Sequence, residues 1–195
     1  MTLALQVARG ALIALLVVAV AAASAEPDEA SDKRFAAAGT IEVAFTPGDA
    51  IDKLIIGAID GAKREVLVHA YSFTQRGIAR ALVNARRRGV AVSVIADREQ
   101  ARSLPQNVLP QLVAGGVDVW LDGNFQAAHN KVIIVDAESP HATTITGSYN
   151  FTLAAQRSNA ENIIVLRDNA PVARAYRSNW QALKTRARPW PESDK

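Results

Sequence analysis

Residues 129–136 read His129-Asn130-Lys131-Val132-Ile133-Ile134-Val135-Asp136, and Gly147-Ser148-Tyr149-Asn150 and Asn159-Ala160-Glu161-Asn162 follow. Residues two apart on a strand share a face, so His129 and Lys131 point the same way. The apolar run Val132–Val135 buries such a strand and holds the pair rigidly at its entrance. An imidazole beside an ammonium suits nucleophilic attack coupled to capture of an anion, a phosphate above all. Just past the next strand, Gly147 permits close backbone approach, while Ser148 and Asn150 offer uncharged donors. Glu161 stands before another apolar strand, where a carboxylate can fix an imidazole tautomer.

The elements that must position these groups alternate along the chain. Thr40–Phe45 reads as a strand closed by Thr46-Pro47-Gly48, and Asp49 is placed to cap a helix with Ile51, Leu54, Ile55, Ala58 and Ile59 at helical spacing. Glu65–Tyr71 is a second strand and Gln75–Arg88 a second helix, stopped by Gly89. Ala91–Ala96 is a continuous apolar strand of the type buried on both faces. Asn107–Ala114 is a short helix, and Val117–Leu121, Lys131–Val135, Thr143–Thr146 and Asn162–Leu166 are further strands before a last helix from about Pro171 to Lys184. This alternation predicts an α/β domain, an α-β-α sandwich around a central, mixed, mostly buried sheet. The domain is expected over residues 40–188, with a tail at 189–195.

Upstream, residues 10–25 form an uncharged apolar run ending in Ala23-Ser24-Ala25, after Arg9. It is shorter than the ~20 residues of a membrane span, and reads as a signal peptide cleaved after Ala25. An uncleaved anchor is the competing reading. Residues 26–39 are then a polar leader, and the mature protein is expected in the periplasm or secreted, without a membrane span.

The two-part pattern resembles the phospholipase D superfamily, whose signature is His-x-Lys-x4-Asp followed by Gly-Ser-x-Asn. The likeness runs from about Thr40 to the last helix. It is nearest the small bacterial endonuclease branch with one motif per chain, which Tyr71-Ser72-Phe73-Thr74 and Gly147–Thr152 also resemble. One departure is the ten-residue connection Ala137–Thr146, longer than the family's usual one. It reads as an extended hairpin loop able to alter access to the site.

The resemblance implies that His129 attacks phosphorus to form a phosphohistidine, while a second His129 protonates the leaving oxygen. It further implies that Lys131 and Asn150 hold the phosphate oxygens, Glu161 orients His129, Ser148 hydrogen-bonds near the imidazole or phosphate, and Asp136 completes the motif, as a brace or in the site. No metal and no other cofactor is implied. Since the chain has one motif and no internal repeat, the second histidine must come from a second copy, giving a homodimer with a composite site.

Structural readings stand beside these roles. Asp136 is also what a strand-terminating turn shows, Gly147, Ser148 and Asn150 can form a turn, and Glu161 can pair with Arg157. His69 reads as a core histidine, His141 as solvated, Arg86-Arg87-Arg88 as a complement to a helix C-terminus, Trp180 as core and Trp190 as exposed.

Composition narrows the function. The 195 residues include no cysteine, so disulfides, cysteine-ligated metal and thiol nucleophiles are excluded. The charge of +3 and pI near 9.4 permit an anionic partner without demanding one. The leading function is a phosphodiesterase acting as a non-specific endonuclease on DNA or RNA. The alternatives are a phospholipase D-type lipid phosphodiesterase on the same fold, and a catalytically silent nucleic-acid-binding module.

Overall fold

The strand signals of the sequence converge on one eight-stranded sheet. A computed structural model describes residues Lys33–Pro191, so the apolar run 10–25 and its cleavage site lie outside the described residues. The strands are β1 (Thr40–Thr46), β2 (Glu65–Ala70), β3 (Ala91–Asp97), β4 (Asp118–Asp122), β5 (Lys131–Val135), β6 (Thr143–Gly147), β7 (Glu161–Arg167) and β8 (Arg188–Trp190). The helices are α1 (Ile51–Gly61), α2 (Arg76–Arg87), α3 (Arg98–Ser103), α4 (Leu109–Ala114), α5 (Leu153–Arg157) and α6 (Ala170–Lys184). The sheet order is β1-β7-β6-β5-β2-β3-β4-β8. Only β2, β3 and β4 run parallel; every other pairing is antiparallel.

Parity along the strands divides the core in two. Val66, Val68, Val92, Val94 and Ile133 face α1, α2 and α4, whose buried residues include Ile55, Ile59, Ile78, Leu82 and Leu112. The alternate residues Leu67, Ile95, Val132 and Ile134 pack against α6 through Ala173 and Trp180. The Trp180 indole N–H is also paired, donating to the Val68 carbonyl at 2.9 Å. The layered, mixed α/β sandwich is therefore observed. Among the described residues, no helix is long and apolar enough to cross a membrane.

Several local expectations shift. Asp49 does not cap α1; its Oδ2 accepts from the Phe45 N–H at 2.8 Å and closes the β1 turn instead. Pro189 and Trp190, expected in a tail, belong to edge strand β8, where Leu121 pairs with Arg188. Proline is tolerated there because an edge strand leaves one row of backbone donors unpaired anyway. Trp190 is half-buried against the core rather than exposed. Arg86 and Arg88 act as staples: Arg86 Nε donates to the Gly116 carbonyl at 2.7 Å, and Arg88 Nη2 to that of Ile59 at 3.0 Å.

Candidate active site

Strand direction decides which ends meet. Lys131 opens β5 opposite Ala70, the last residue of β2. Gly147 closes β6 opposite Ile163, and Glu161 opens β7 opposite Thr46, the end of β1. One rim of the sheet thus gathers His129, Lys131, Gly147–Asn150 and Glu161. A Cβ at Gly147 would collide with the Asn162 carbonyl, so the close β6–β7 approach requires glycine.

Lys131 is buried, with 7% of its surface exposed, and its ammonium donates to the His129 carbonyl at 2.7 Å. Burial pushes its pKa down from 10.5 to about 8, while the Glu161 carboxylate acts in the opposite direction. His129 lies just before the strand and is exposed. Tyr71, at the end of β2, joins the two: its ring centroid is 4.4 Å from that of His129, and the Lys131 Nζ lies 4.8 Å above it. The backbone reinforces the contact, for the Tyr71 N–H donates to the Asn130 carbonyl at 3.0 Å. In the sequence Tyr71 stands out only within Tyr71-Ser72-Phe73-Thr74; its position one residue past a buried strand, on the rim, is the signal that marks it.

Glu161 is held on both oxygens. Ser148 Oγ donates to Oε2 at 2.6 Å and Asn159 Nδ2 to Oε1 at 2.9 Å, while the Asn162 N–H donates back to Ser148 Oγ at 3.0 Å. The Thr46 hydroxyl accepts from the Glu161 N–H at 3.1 Å. The Glu161–His129 contact implied by resemblance is not made within the chain; Ser148 and Asn159 take the carboxylate. Nor does Glu161 pair with Arg157. Asn150 keeps its Oδ1 buried and, among the described residues, unmatched. Between Ser148 and Asn150, buried Tyr149 anchors the turn through its hydroxyl to Gln156 Oε1 at 3.2 Å. The turn is also stitched to the segment after β2, since the Thr74 and Gln75 N–H groups both donate to the Phe151 carbonyl at 2.9 Å.

A second support holds the loop that leads to His129. Asp97, at the end of β3, accepts from the Gln100 N–H at 2.8 Å, capping α3, and from the Ala128 N–H at 2.8 Å. One buried carboxylate therefore ties a helix start to the residue before His129.

Asp136 lies at the opposite rim. It follows the last residue of β5, about 16 Å from Lys131 at strand rise. Its carboxylate accepts from three consecutive backbone N–H groups, Lys63 at 2.8 Å, Arg64 at 2.7 Å and Glu65 at 2.8 Å, and its φ is +48°. A place among the reacting groups is excluded by that position; Asp136 fastens the start of β2 to the end of β5. Of the ten-residue connection Ala137–Thr146, residues 143–146 belong to β6 and lead to the site, and only the loop Ala137–Ala142 stays on the far rim, away from the reacting rim. His69 is buried within β2, and burial lowers its pKa to about 4 against the pull of Asp122 and Asp97. His141 is exposed, its Nδ1 3.0 Å from Asp168.

The model described as "Cardiolipin synthase, PLD-like domain" matches residues 55–184. A phospholipase D of Rickettsia bellii is 38% identical over 146 residues, covering 75% of this chain and 70% of its own. The mitochondrial cardiolipin hydrolase of Xenopus laevis is 31% identical over 145 residues, 74% of this chain and 63% of its own. Among solved structures, the phospholipase D family member Nuc from Salmonella typhimurium superposes with a TM-score of 0.72 at 33% identity, over 77% of this chain and 97% of Nuc. A family match across most of the folded domain, and a shared architecture that spans almost all of Nuc, make this chain a member of the phospholipase D superfamily.

Proposed function

We propose that this phosphodiesterase is an endonuclease of low sequence preference, hydrolysing DNA or RNA through a phosphohistidine on His129. The observation that carries the reading is the pairing of an exposed imidazole with a buried ammonium on one rim. His129 is free to approach phosphorus in line, and Lys131, with Asn150, neutralises the oxygens on which charge builds. Neither group needs a metal in this scheme, and Tyr71 fixes the relative position of both. This rim exposes Arg157, Arg186 and Arg188, with the Glu99 carboxylate among them, and the apolar side chains of Phe45, Phe125 and Leu153. Those apolar side chains stand on separate elements, β1, the loop before β5 and the short α5, rather than on one amphipathic helix of the kind that enters a bilayer interface.

The same proposal includes a homodimer. Each chain offers one His129, whereas attack and leaving-group protonation need two imidazoles in opposite protonation states. The β1 residues Ile41, Val43 and Phe45 form an apolar row, more than half exposed, that runs toward the catalytic rim, and a second copy could cover it. The export reading of residues 10–25 completes the proposal, and N-terminal sequencing of the mature protein tests it.

The decisive experiment assays plasmid DNA, RNA and phospholipid vesicles in parallel, with excess chelator in duplicate tubes. Nucleic acids should be cleaved with and without chelator, and His129→Ala should be inactive. Cleavage restricted to vesicles would replace this reading with the lipid one, and rescue by a divalent cation would overturn the metal-free scheme. Mixing wild-type with His129→Ala chains after full exchange tests the shared site. Activity should fall as the square of the wild-type fraction; a linear fall would assign each chain its own site.

A further inference from the structure

A polar pocket opens on the same rim, and the chemistry above does not use it. It holds about 220 Å³ and is lined by Arg98, Leu121, Gly123, Asn124, Arg186 and Arg188. Its three guanidinium groups come from three elements: Arg98 begins α3 after β3, Arg186 follows α6, and Arg188 begins β8 opposite Leu121. Arg98 has one carboxylate beside it, Glu99 at 3.3 Å, in an exposed pair. Among the described residues, Arg186 and Arg188 have no ion-pair partner. Like charges gathered around one cavity repel, and a bound anion relieves that repulsion.

The pocket is built rather than incidental. A Cβ at Gly123 would overlap the Arg98 guanidinium, which lies directly against the backbone there. Asn124 Nδ2 donates to the Arg186 carbonyl at 2.9 Å and to Asp122 Oδ1 at 3.0 Å, tying the segment after α6 to the end of β4. The loop that leaves the pocket leads straight to His129, carries Phe125 at 48% exposure, and is pinned at Ala128 by Asp97. Lys131 and Leu121 are separated by three strand spacings, about 14 Å. A polymer with regularly repeated phosphates spans both positions, whereas one isolated phosphodiester does not. An exposed aromatic on the loop that joins two cationic positions matches the way single strands are gripped, by stacking and charge together.

We propose that Arg98, Arg186 and Arg188 form a second phosphate subsite, which takes a backbone phosphate of a single-stranded nucleic acid while Phe125 stacks one of its bases. This rests on the nuclease reading and names its substrate class. The test measures kcat/KM on single-stranded oligonucleotides of increasing length at several salt concentrations, for wild type and for Arg186→Glu/Arg188→Glu. The milder Arg186→Gln/Arg188→Gln and Gly123→Ala variants are taken in parallel, all with thermal melts. In the wild type, kcat/KM should climb at least tenfold once the strand is long enough to reach the pocket. In the variants that climb should vanish, and the salt slope should flatten by about 1.4 for two lost arginine contacts. An unchanged climb in folded variants overturns the subsite while leaving the nuclease reading intact. Absence of oligonucleotide cleavage by the wild type, with vesicle hydrolysis reduced in the same variants, overturns both and assigns the arginines to lipid headgroups.

Discussion

Asp136 is the signature residue whose loss should damage the fold and spare the chemistry. In Asp136→Asn the amide oxygen can still accept from Arg64 and Glu65, but an NH2 group then faces the Lys63 N–H that Oδ2 accepted. One hydrogen bond to a charged acceptor is lost, at about 1.5–3 kcal/mol, and two others weaken toward the neutral range of about 0.5–1.5 kcal/mol. Discounted for the partial exposure of those donors, the cost is about 2–4 kcal/mol. Asparagine tolerates the positive φ at this position, so the figure isolates the carboxylate. Asp136→Ala adds about 1–2 kcal/mol of backbone strain and brings the domain close to the limit of a fold worth about 5–15 kcal/mol. Urea unfolding followed by tryptophan fluorescence measures the stability, and kcat/KM per folded molecule measures the chemistry. A lowered midpoint with turnover within about threefold of wild type is expected, because some 16 Å of strand separate Asp136 from Lys131. An unshifted midpoint together with a tenfold or greater loss of turnover would refute the reasoning.

Three further outcomes follow from the site. In the proposed scheme a charged Lys131 holds phosphate, and its pKa sits near 8, so kcat/KM should decline above about pH 8; Glu161→Gln removes the raising influence and should move that limb to lower pH. The folded pKa lies below the ordinary 10.5, so Lys131 destabilises the fold below about pH 8, and the penalty is relieved as pH climbs toward 10.5. Urea midpoints of wild type should therefore rise over that window, and those of Lys131→Met should not show this contribution. Asp97→Asn should cost about 1–2 kcal/mol through the weakened α3 cap and lower kcat more than it raises KM, since the His129 loop loses its tether; equal kcat would refute the positioning role. Gly147→Ala should destabilise by about 1–3 kcal/mol and reduce turnover by pushing Ser148 off Glu161, as calorimetry and kinetics on the same preparation would record.

Much of the fold was legible because apolar runs marked the central strands. Val92–Ala96 and Val132–Val135 are apolar or small at nearly every position, and both prove buried on two faces. The spacing of His129 and Lys131 was equally readable, as were the places of Gly147 and Glu161 at strand ends, though not that the fold brings Ser148 onto Glu161. Other features depend on partners distant in sequence. Asp136 looked chemical because it sits in the signature, and only the fold brings Lys63–Glu65 to its carboxylate. Asp49 had the composition of a cap but found a nearer donor in Phe45. Strand β8 contains a proline and is three residues long, so no periodicity could reveal it. Tyr71 and Asp97 end strands whose apolar character was recognised, yet their contacts run to the His129 segment more than thirty residues later.

The far-rim connection has a practical consequence. Ala137 and Ala142 seat its two ends in the core, while Glu138, Pro140 and His141 are exposed at its tip. The tip faces away from both the reacting groups and the arginine pocket. It is thus a place to insert a fluorophore-labelling tag, an affinity peptide or a tether to a solid support without obstructing catalysis. Immobilised by that tip, the domain would present its working rim outward, oriented by its own architecture.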